Sequence, residues 1–321
     1  MRIVIAGPGA LGCLFAALLS PKKQNEKDSL WLLDHNQERA ALLHRQGIIY
    51  EADRHQQCIF IPVTADPGTI DRVDIILFCV KSYDLDACIQ FSQPLLSPQT
   101  LPVFLQNGIN HLDIQERLNL PSPPVFACSS EGATLLKPGH ILHAGHGTTE
   151  LGFLQPPTER QQLQVTELAQ VLQEAGLAVS LSQDIRSRLW AKLFINAGIN
   201  PLTALYNRSN GQLLTSCAAR SRLKDIVRET ETVARAAGIP IETDPLKATL
   251  NVCKGTARNI SSMLQDRRNK RPTEIDAING AVVRMGKKLG IATPFNEEIV
   301  AQIKKMEKSY SLDEDEAVAQ E

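Results

Sequence analysis

The sequence predicts an α/β domain built on a parallel sheet, followed by an all-α domain, and three observations predict it. Over residues 1–183, short β-branched runs alternate with helical segments. From residue 184 onward, strand signals nearly vanish and long segments of 3.6-residue periodicity take over. A chain of 321 residues is too long for one ordinary core and suits two domains. The boundaries expected are 1–183 and 184–310, with an acidic flexible tail at 311–321.

The strand runs are Ile3 to Ala6, Leu30 to Leu33, Val73 to Val80 and Val103 to Gln106, and they predict the parallel sheet. Around Ile141 to His143 and Glu150 to Phe153 the pattern changes to short strands separated by glycines, expected as antiparallel additions to that sheet. A helix over 159–174 and the run "LAVSLS" close the first domain. Helical periodicity then marks 185–200, 219–237, 245–265, 274–289 and 294–308. Gly290 stands where a helix should stop, and Thr293-Pro294 supplies a cap and a first-turn proline for the next.

Hydrophobic residues at 43% and a net charge of -1 describe a globular chain with no long-range attraction to nucleic acid or anionic membrane, so the expected partner is a small molecule. The seven cysteines are scattered, form no C-x-x-C pair and lie at no metal-ligand spacing, so no metal is expected. A reducing, cytoplasmic compartment fits them. Residues 1–20 have the outline of a signal peptide, Arg2 before an apolar run, but Gly-Pro-Gly interrupts the continuous apolar helix that such a segment needs. No other stretch approaches the ~20 apolar residues of a membrane span.

"RIVIAGPGALG" sets Gly7, Gly9 and Gly12 in G-x-G-x-x-G spacing, after an apolar strand and opening into a helix. Glycines let the backbone turn and approach a pyrophosphate closely, while the helix start turns its N–H groups toward the anion. Gly7, Pro8, Gly9, Ala10, Leu11 and Gly12 are therefore read as a dinucleotide cradle in a Rossmann-type domain. Asp34 ends the second strand, where a carboxylate accepts from the adenosine ribose hydroxyls and repels a 2'-phosphate. Taken alone it favours NAD(H) over NADP(H). His35 and Arg39 are cations near enough to soften the repulsion, so the preference stays open, and the lesser reading of Asp34 is as a cap of the helix beginning near Gln37. Lys81 and Asn107 follow two further strands, on the sheet edge to which the glycine loop belongs, and are read as cofactor contacts.

"LWAKLFINAGINPLTAL" carries Lys192, Asn196 and Asn200 at i, i+4, i+8, so one helical face presents all three. A lone lysine could merely snorkel, but three aligned polar groups beside Trp190, Leu193, Phe194 and Ile195 read as the floor of a cleft. "NISSMLQDRRNKRPTEID" adds Asn259 and Ser262, suited to a carboxylate or hydroxyl substrate, and Glu274, which could also be a first-turn residue favoured by the helix dipole. Arg267, Arg268, Lys270 and Arg271 lack interleaved aromatics and read as a solvated turn, not a nucleic-acid site.

On "GPGALG", "QNG" at 106–108, "LWAKLFINAGINPLTAL", "SNGQLL" at 209–214, "NISSMLQD" and "TEIDAINGAVV", the chain resembles the ketopantoate reductases over nearly its whole length. The resemblance implies NAD(P)H-dependent reduction of ketopantoate to pantoate, a step of pantothenate synthesis, with Lys192 as catalytic acid and Glu274 near substrate and nicotinamide. It places Asn196, Asn200, Asn210, Asn259 and Ser262 on the substrate, Asn107 between nicotinamide and substrate, and Lys81 on the cofactor. It implies NADP(H), against which Asp34 stands as a departure. It leaves room for a homodimer. Two other readings remain open, a two-domain dehydrogenase for another 2-oxo acid and a dinucleotide-sensing protein without turnover.

Overall fold

The computed structural model describes residues 1–20, 29–53 and 55–318. They fall into two compact units, Met1–Gln106 with His111–Arg188, and Asn107–Asn110 with Leu189–Glu321. The first contains, in chain order, β1 (Arg2–Ala6), α1 (Ala10–Leu19), β2 (Ser29–Leu33), α2 (Gln37–Gln46), β3 (Ile48–Ala52), β4 (His55–Ile59), β5 (Val63–Thr64), β6 (Ile75–Phe78), α3 (Leu85–Phe91), β7 (Leu101–Phe104), α4 (Ile114–Leu118), β8 (Val125–Ser129), β9 (Gly132–Lys137), β10 (His140–Gly145), β11 (Thr148–Gly152), α5 (Glu159–Glu174) and β12 (Ala178–Leu181).

The main sheet runs β12-β11-β8-β7-β6-β1-β2-β5. From β8 to β5 all pairs are parallel. Strand order reverses between β1 and β6, as in a doubly wound dinucleotide-binding sheet. Ile3 to Ala6, Ile75 to Phe78 and Leu101 to Phe104 are wholly buried, which is why these strands read as unbroken apolar runs. The expected strand at Glu150 to Phe153 is β11, antiparallel to β8. The one at Ile141 to His143 is not an addition to this sheet. It lies in β10, within a separate four-stranded sheet ordered β4-β3-β10-β9. Ile141 and His143 are buried while alternate residues are half-buried or exposed, and β3, β9 and β10 pack on α1. A strand covered on one face joins whichever sheet covers that face.

The second unit holds the rest of α6 (Ile185–Tyr206), then α7 (Cys217–Ala236), α8 (Pro245–Gly255), α9 (Ser262–Arg268), α10 (Asn279–Leu289) and α11 (Pro294–Val318). The stretch 245–265, read as one helix, is two. A turn intervenes, and Ser261 caps α9 by accepting from the Leu264 N–H. Gly290 closes α10 in the left-handed region at φ 70°. The last helix continues to Val318, so the backbone of 311–318, expected as tail, is helical; 319–321 lie outside the described residues. Among the described residues no helix is long and apolar enough to cross a membrane.

Helix α6 contains Pro201, which has no N–H to give the Ala197 carbonyl. The fully buried Asn279 makes up the loss. Its Nδ2 donates to Ala197 O at 3.1 Å and to Asn296 Oδ1 at 3.0 Å, while Asn296 in turn donates to Glu229 Oε2 at 2.7 Å. Arg267, expected on a solvated turn, is half-buried and donates to the Ala204 and Leu205 carbonyls in the last turn of α6, where carbonyls run short of helical N–H partners. Asn279→Leu should cost about 1–3 kcal/mol, the penalty for stranding buried polar partners, measured by urea unfolding. An unchanged midpoint would show that α6 does not need the side chain.

Candidate active site

The glycine loop joins β1 to α1. Gly7 sits at φ 103°, a conformation open to glycine, and a Cβ there would lie 2.5 Å from the Val80 side chain. A Cβ at Gly12 would lie 2.0 Å from the Gly7 carbonyl oxygen, so the first helical turn rests directly on the loop backbone. Gly9 differs, since a Cβ there meets only Cys79 O at 3.7 Å. Gly9 is also the N-cap and offers α1 no side-chain acceptor. Pro8 is buried, Ala10 and Leu11 are half-buried, and the loop is an open cradle at a ten-residue helix N-terminus, suited to a pyrophosphate. Behind it, burial pushes the Cys13 thiol up to about 12 and raises that of Cys79, so neither is a nucleophile. All seven cysteines are free.

Asp34 at the end of β2 is 1% exposed, and its carboxylate is already engaged. Arg39 grips it with two nitrogens, Nε to Oδ2 at 2.5 Å and Nη2 to Oδ1 at 2.7 Å, and the Asn36 N–H adds a bond at 3.0 Å. The Asp34 hydrogen bonds raise the Arg39 pKa beyond its ordinary value. Asp34 does not cap α2; Asn36 does, accepting from the Arg39 N–H at 2.8 Å. Arg39, expected only to soften the repulsion, covers the carboxylate with a side chain 37% exposed, and His35 beside it, Nδ1 3.7 Å from Asp34 Oδ1, is 72% exposed. Lys81, half-buried, stands at extended dihedrals ahead of the turn Ser82–Asp84 after β6.

In the second unit, Asn107 Nδ2 donates to Glu274 Oε2 at 2.9 Å across 167 residues of sequence. Glu274 is 5% exposed and precedes α10 instead of opening a helix, so the dipole reading of it falls. Gly108 makes the meeting feasible, for at φ 79° a Cβ would come within 2.0 Å of Ala277 O. The Ile109 N–H bonds that same oxygen at 3.2 Å.

Lys192 and Asn196 on α6 are half-buried and Asn200 is buried. The face is tied to the "NISS" segment, since Thr203 Oγ1 donates to Asn200 O at 2.8 Å and lies 2.6 Å from Ser261 Oγ. Ser261 is thereby occupied and Ser262 beside it is exposed. The Asn210 N–H donates to Asn259 O at 3.1 Å, setting these two residues side by side. Asn210 Nδ2 donates to Thr256 Oγ1 at 2.8 Å, while its buried Oδ1 accepts nothing among the described residues. A buried carbonyl oxygen without a protein donor has room to accept one from a bound water or a ligand.

Residues 3–156 match the family model "Ketopantoate reductase PanE/ApbA" and residues 184–307 match "Ketopantoate reductase PanE/ApbA C terminal". The 2-dehydropantoate 2-reductase of Vibrio cholerae is 33% identical over 97% of this chain and 99% of its own. A PanE/ApbA family ketopantoate reductase from Ralstonia eutropha superposes with TM-score 0.86 at 28% identity, covering 97% of this chain and 100% of that one. D-mandelate dehydrogenase, solved with NADH and anilino(oxo)acetate, superposes with TM-score 0.87 at 28% identity, covering 97% and 99%.

Proposed function

Because the chain belongs to the ketopantoate reductase family, we propose that it reduces ketopantoate to pantoate with a nicotinamide dinucleotide and that Lys192 supplies the proton. The observation that carries the site reading is the Asn107–Glu274 hydrogen bond, which joins two residues expected on the substrate and cofactor from distant parts of the sequence. When bound, the dinucleotide supplies the hydride that adds to the C2 carbonyl.

Lys192 stabilises the negative charge developing on the carbonyl oxygen and protonates it. Asn196 and Asn200, one and two turns further along α6, hold the lysine and a substrate hydroxyl. Asn210 Oδ1 accepts from a hydroxyl, which supplies its missing donor. Asn259 and Ser262, both exposed, donate to the substrate carboxylate. Glu274 orients the Asn107 amide, which reaches both nicotinamide and substrate. Gly7, Pro8, Gly9, Ala10, Leu11 and Gly12 hold the pyrophosphate, and Lys81 adds a cation on the same sheet edge. Oxidation of NADPH or NADH on adding ketopantoate tests the reading. Turnover of phenylglyoxylate without turnover of ketopantoate would favour the 2-oxo acid chemistry named for D-mandelate dehydrogenase.

The Asp34–Arg39 pair supports NADP(H). With its carboxylate neutralised, this corner offers a 2'-phosphate a guanidinium in place of a bare negative charge. Arg39→Ala should lower kcat/KM with NADPH roughly 10- to 100-fold, the worth of a hydrogen bond to a charged group. With NADH the Asp34 carboxylate, uncovered in that variant, can accept ribose hydroxyls, and the value should hold or rise. Equal losses with both cofactors would defeat this assignment.

A further inference from the structure

Away from the glycine loop, the first unit gathers three metal-binding side chains that the proposed reaction does not use. Glu131 lies between β8 and β9, His143 on β10 and His146 just after it. One ligand atom from each falls within 4.8 Å of the others. We propose that Glu131, His143 and His146 bind a single late-transition-metal dication, Zn²⁺ being the occupant that a two-imidazole, one-carboxylate set fits best.

Small side-chain adjustments bring the three ligand atoms, within 4.8 Å of one another, to the spacing the ion requires. Zinc bonds of ~2.0–2.2 Å in a tetrahedron put ligand atoms about 3.4 Å apart, and His143 Nε2 already stands 2.9 Å from Glu131 Oε2. Both side chains are almost fully shielded, 2% exposed for His143 and 1% for Glu131. The His146 ring is exposed and meets the His143 ring edge-on, centroids 4.3 Å apart, so an ion can enter from solvent on that side. Three protein ligands leave one position for water.

The support is rigid. The Ser130 N–H donates to Thr148 O and the Thr148 N–H to Ser130 Oγ, both at 2.8 Å. A Cβ on Gly147 would sit 2.4 Å from the Ser130 carbonyl carbon, so glycine is what lets the two backbones approach. The three ligands thus project from segments fixed to each other before any ion arrives.

Tyr50 completes the set from β3, its hydroxyl 3.2 Å from His143 Nδ1. Without metal the hydroxyl can donate to Nδ1 while Nε2–H donates to Glu131. With metal on Nε2 the neutral ring takes its other tautomer, its one hydrogen passing through solvent from Nε2 to Nδ1, where the Tyr50 oxygen accepts it. A hydroxyl serves both states by rotation, which an acceptor-only carboxylate or a donor-only ammonium in that place would not. Such outer hydrogen bonds orient ligating imidazoles.

The test uses the full chain stripped by chelator, titrated calorimetrically with Zn²⁺ and spectroscopically with Co²⁺, whose visible d–d absorption reports coordination. One ion per chain is expected. His146→Ala changes an exposed side chain, so the metal-free melting temperature should stay put while the cobalt band disappears and zinc affinity falls at least about tenfold. Glu131→Gln should do the same to the metal signals, and Tyr50→Phe should weaken zinc by roughly 10- to 100-fold. Absence of zinc binding by the unaltered protein overturns the proposal. So does binding that His146→Ala and Glu131→Gln leave intact, which would put the ion on other histidines or thiols.

Discussion

Lys192→Ala is expected to lower kcat about 100- to 10,000-fold, the span typical for removal of a general acid, with folding and cofactor affinity retained. Lys192 is half-buried on α6, and the proposed role requires its amine to reach the substrate oxygen while its aliphatic stem packs. Because the lost interaction belongs to the transition state, kcat and kcat/KM should fall together. A rise in KM alone would instead make Lys192 a binding residue. Lys192→Arg keeps the charge but moves it to a group that does not release a proton, so turnover should remain low. Near-normal turnover in the alanine variant would transfer the acid role elsewhere.

Gly12→Ala should have the second largest effect, and on two measurements. Its Cβ would lie 2.0 Å from Gly7 O, and Gly7 has little room to yield because Val80 blocks its other side. Overpacking of this kind costs about 1–3 kcal/mol, equivalent to roughly 5- to 150-fold in cofactor affinity where the bound loop bears it. Melting temperature and affinity should therefore both drop. Gly9→Ala is the informative contrast. With 3.7 Å to its nearest neighbour, the added methyl strains nothing in the protein alone, so stability should hold. Only affinity should fall, since the methyl fills space assigned to the pyrophosphate. A Gly9→Ala protein that binds NADPH normally would remove the cradle from that spot.

The parallel strands were legible because burial on both faces leaves no polar residue to confuse the pattern, as in "RIVIA" and "IILF". The second sheet was not. Strand β4 is "HQQCI", exposed along four of its five residues, and its existence depends on pairing with β3, which no local propensity encodes. The division of 245–265 escaped because Ser261, a cap, reads like any helical serine until its partner is known.

At the candidate site, residue types and spacing singled out the α6 face, and the fold then supplied neighbours that spacing cannot give. Asn107 and Glu274 are such a pair. Asp34 ends β2 as expected but its carboxylate is taken by Arg39, because whether Arg39 points toward solvent or folds back is a matter of side-chain geometry five residues on. Asn279 sat inside a quoted motif without a role, since only the proline defect in another helix gives it one. Glu131, His143 and His146 are brought together by a strand turn whose sheet was itself unseen.

Asn107–Asn110 group with Leu189–Glu321, although more than 75 residues of the other unit follow them in the chain. The helical half is therefore not a contiguous stretch of gene. A fragment begun at Leu189 would leave out the amide that holds Glu274 and the loop that lies on Ala277. Dissection of this enzyme into halves, or exchange of its C-terminal half with that of a relative, has to carry those four residues along as a graft.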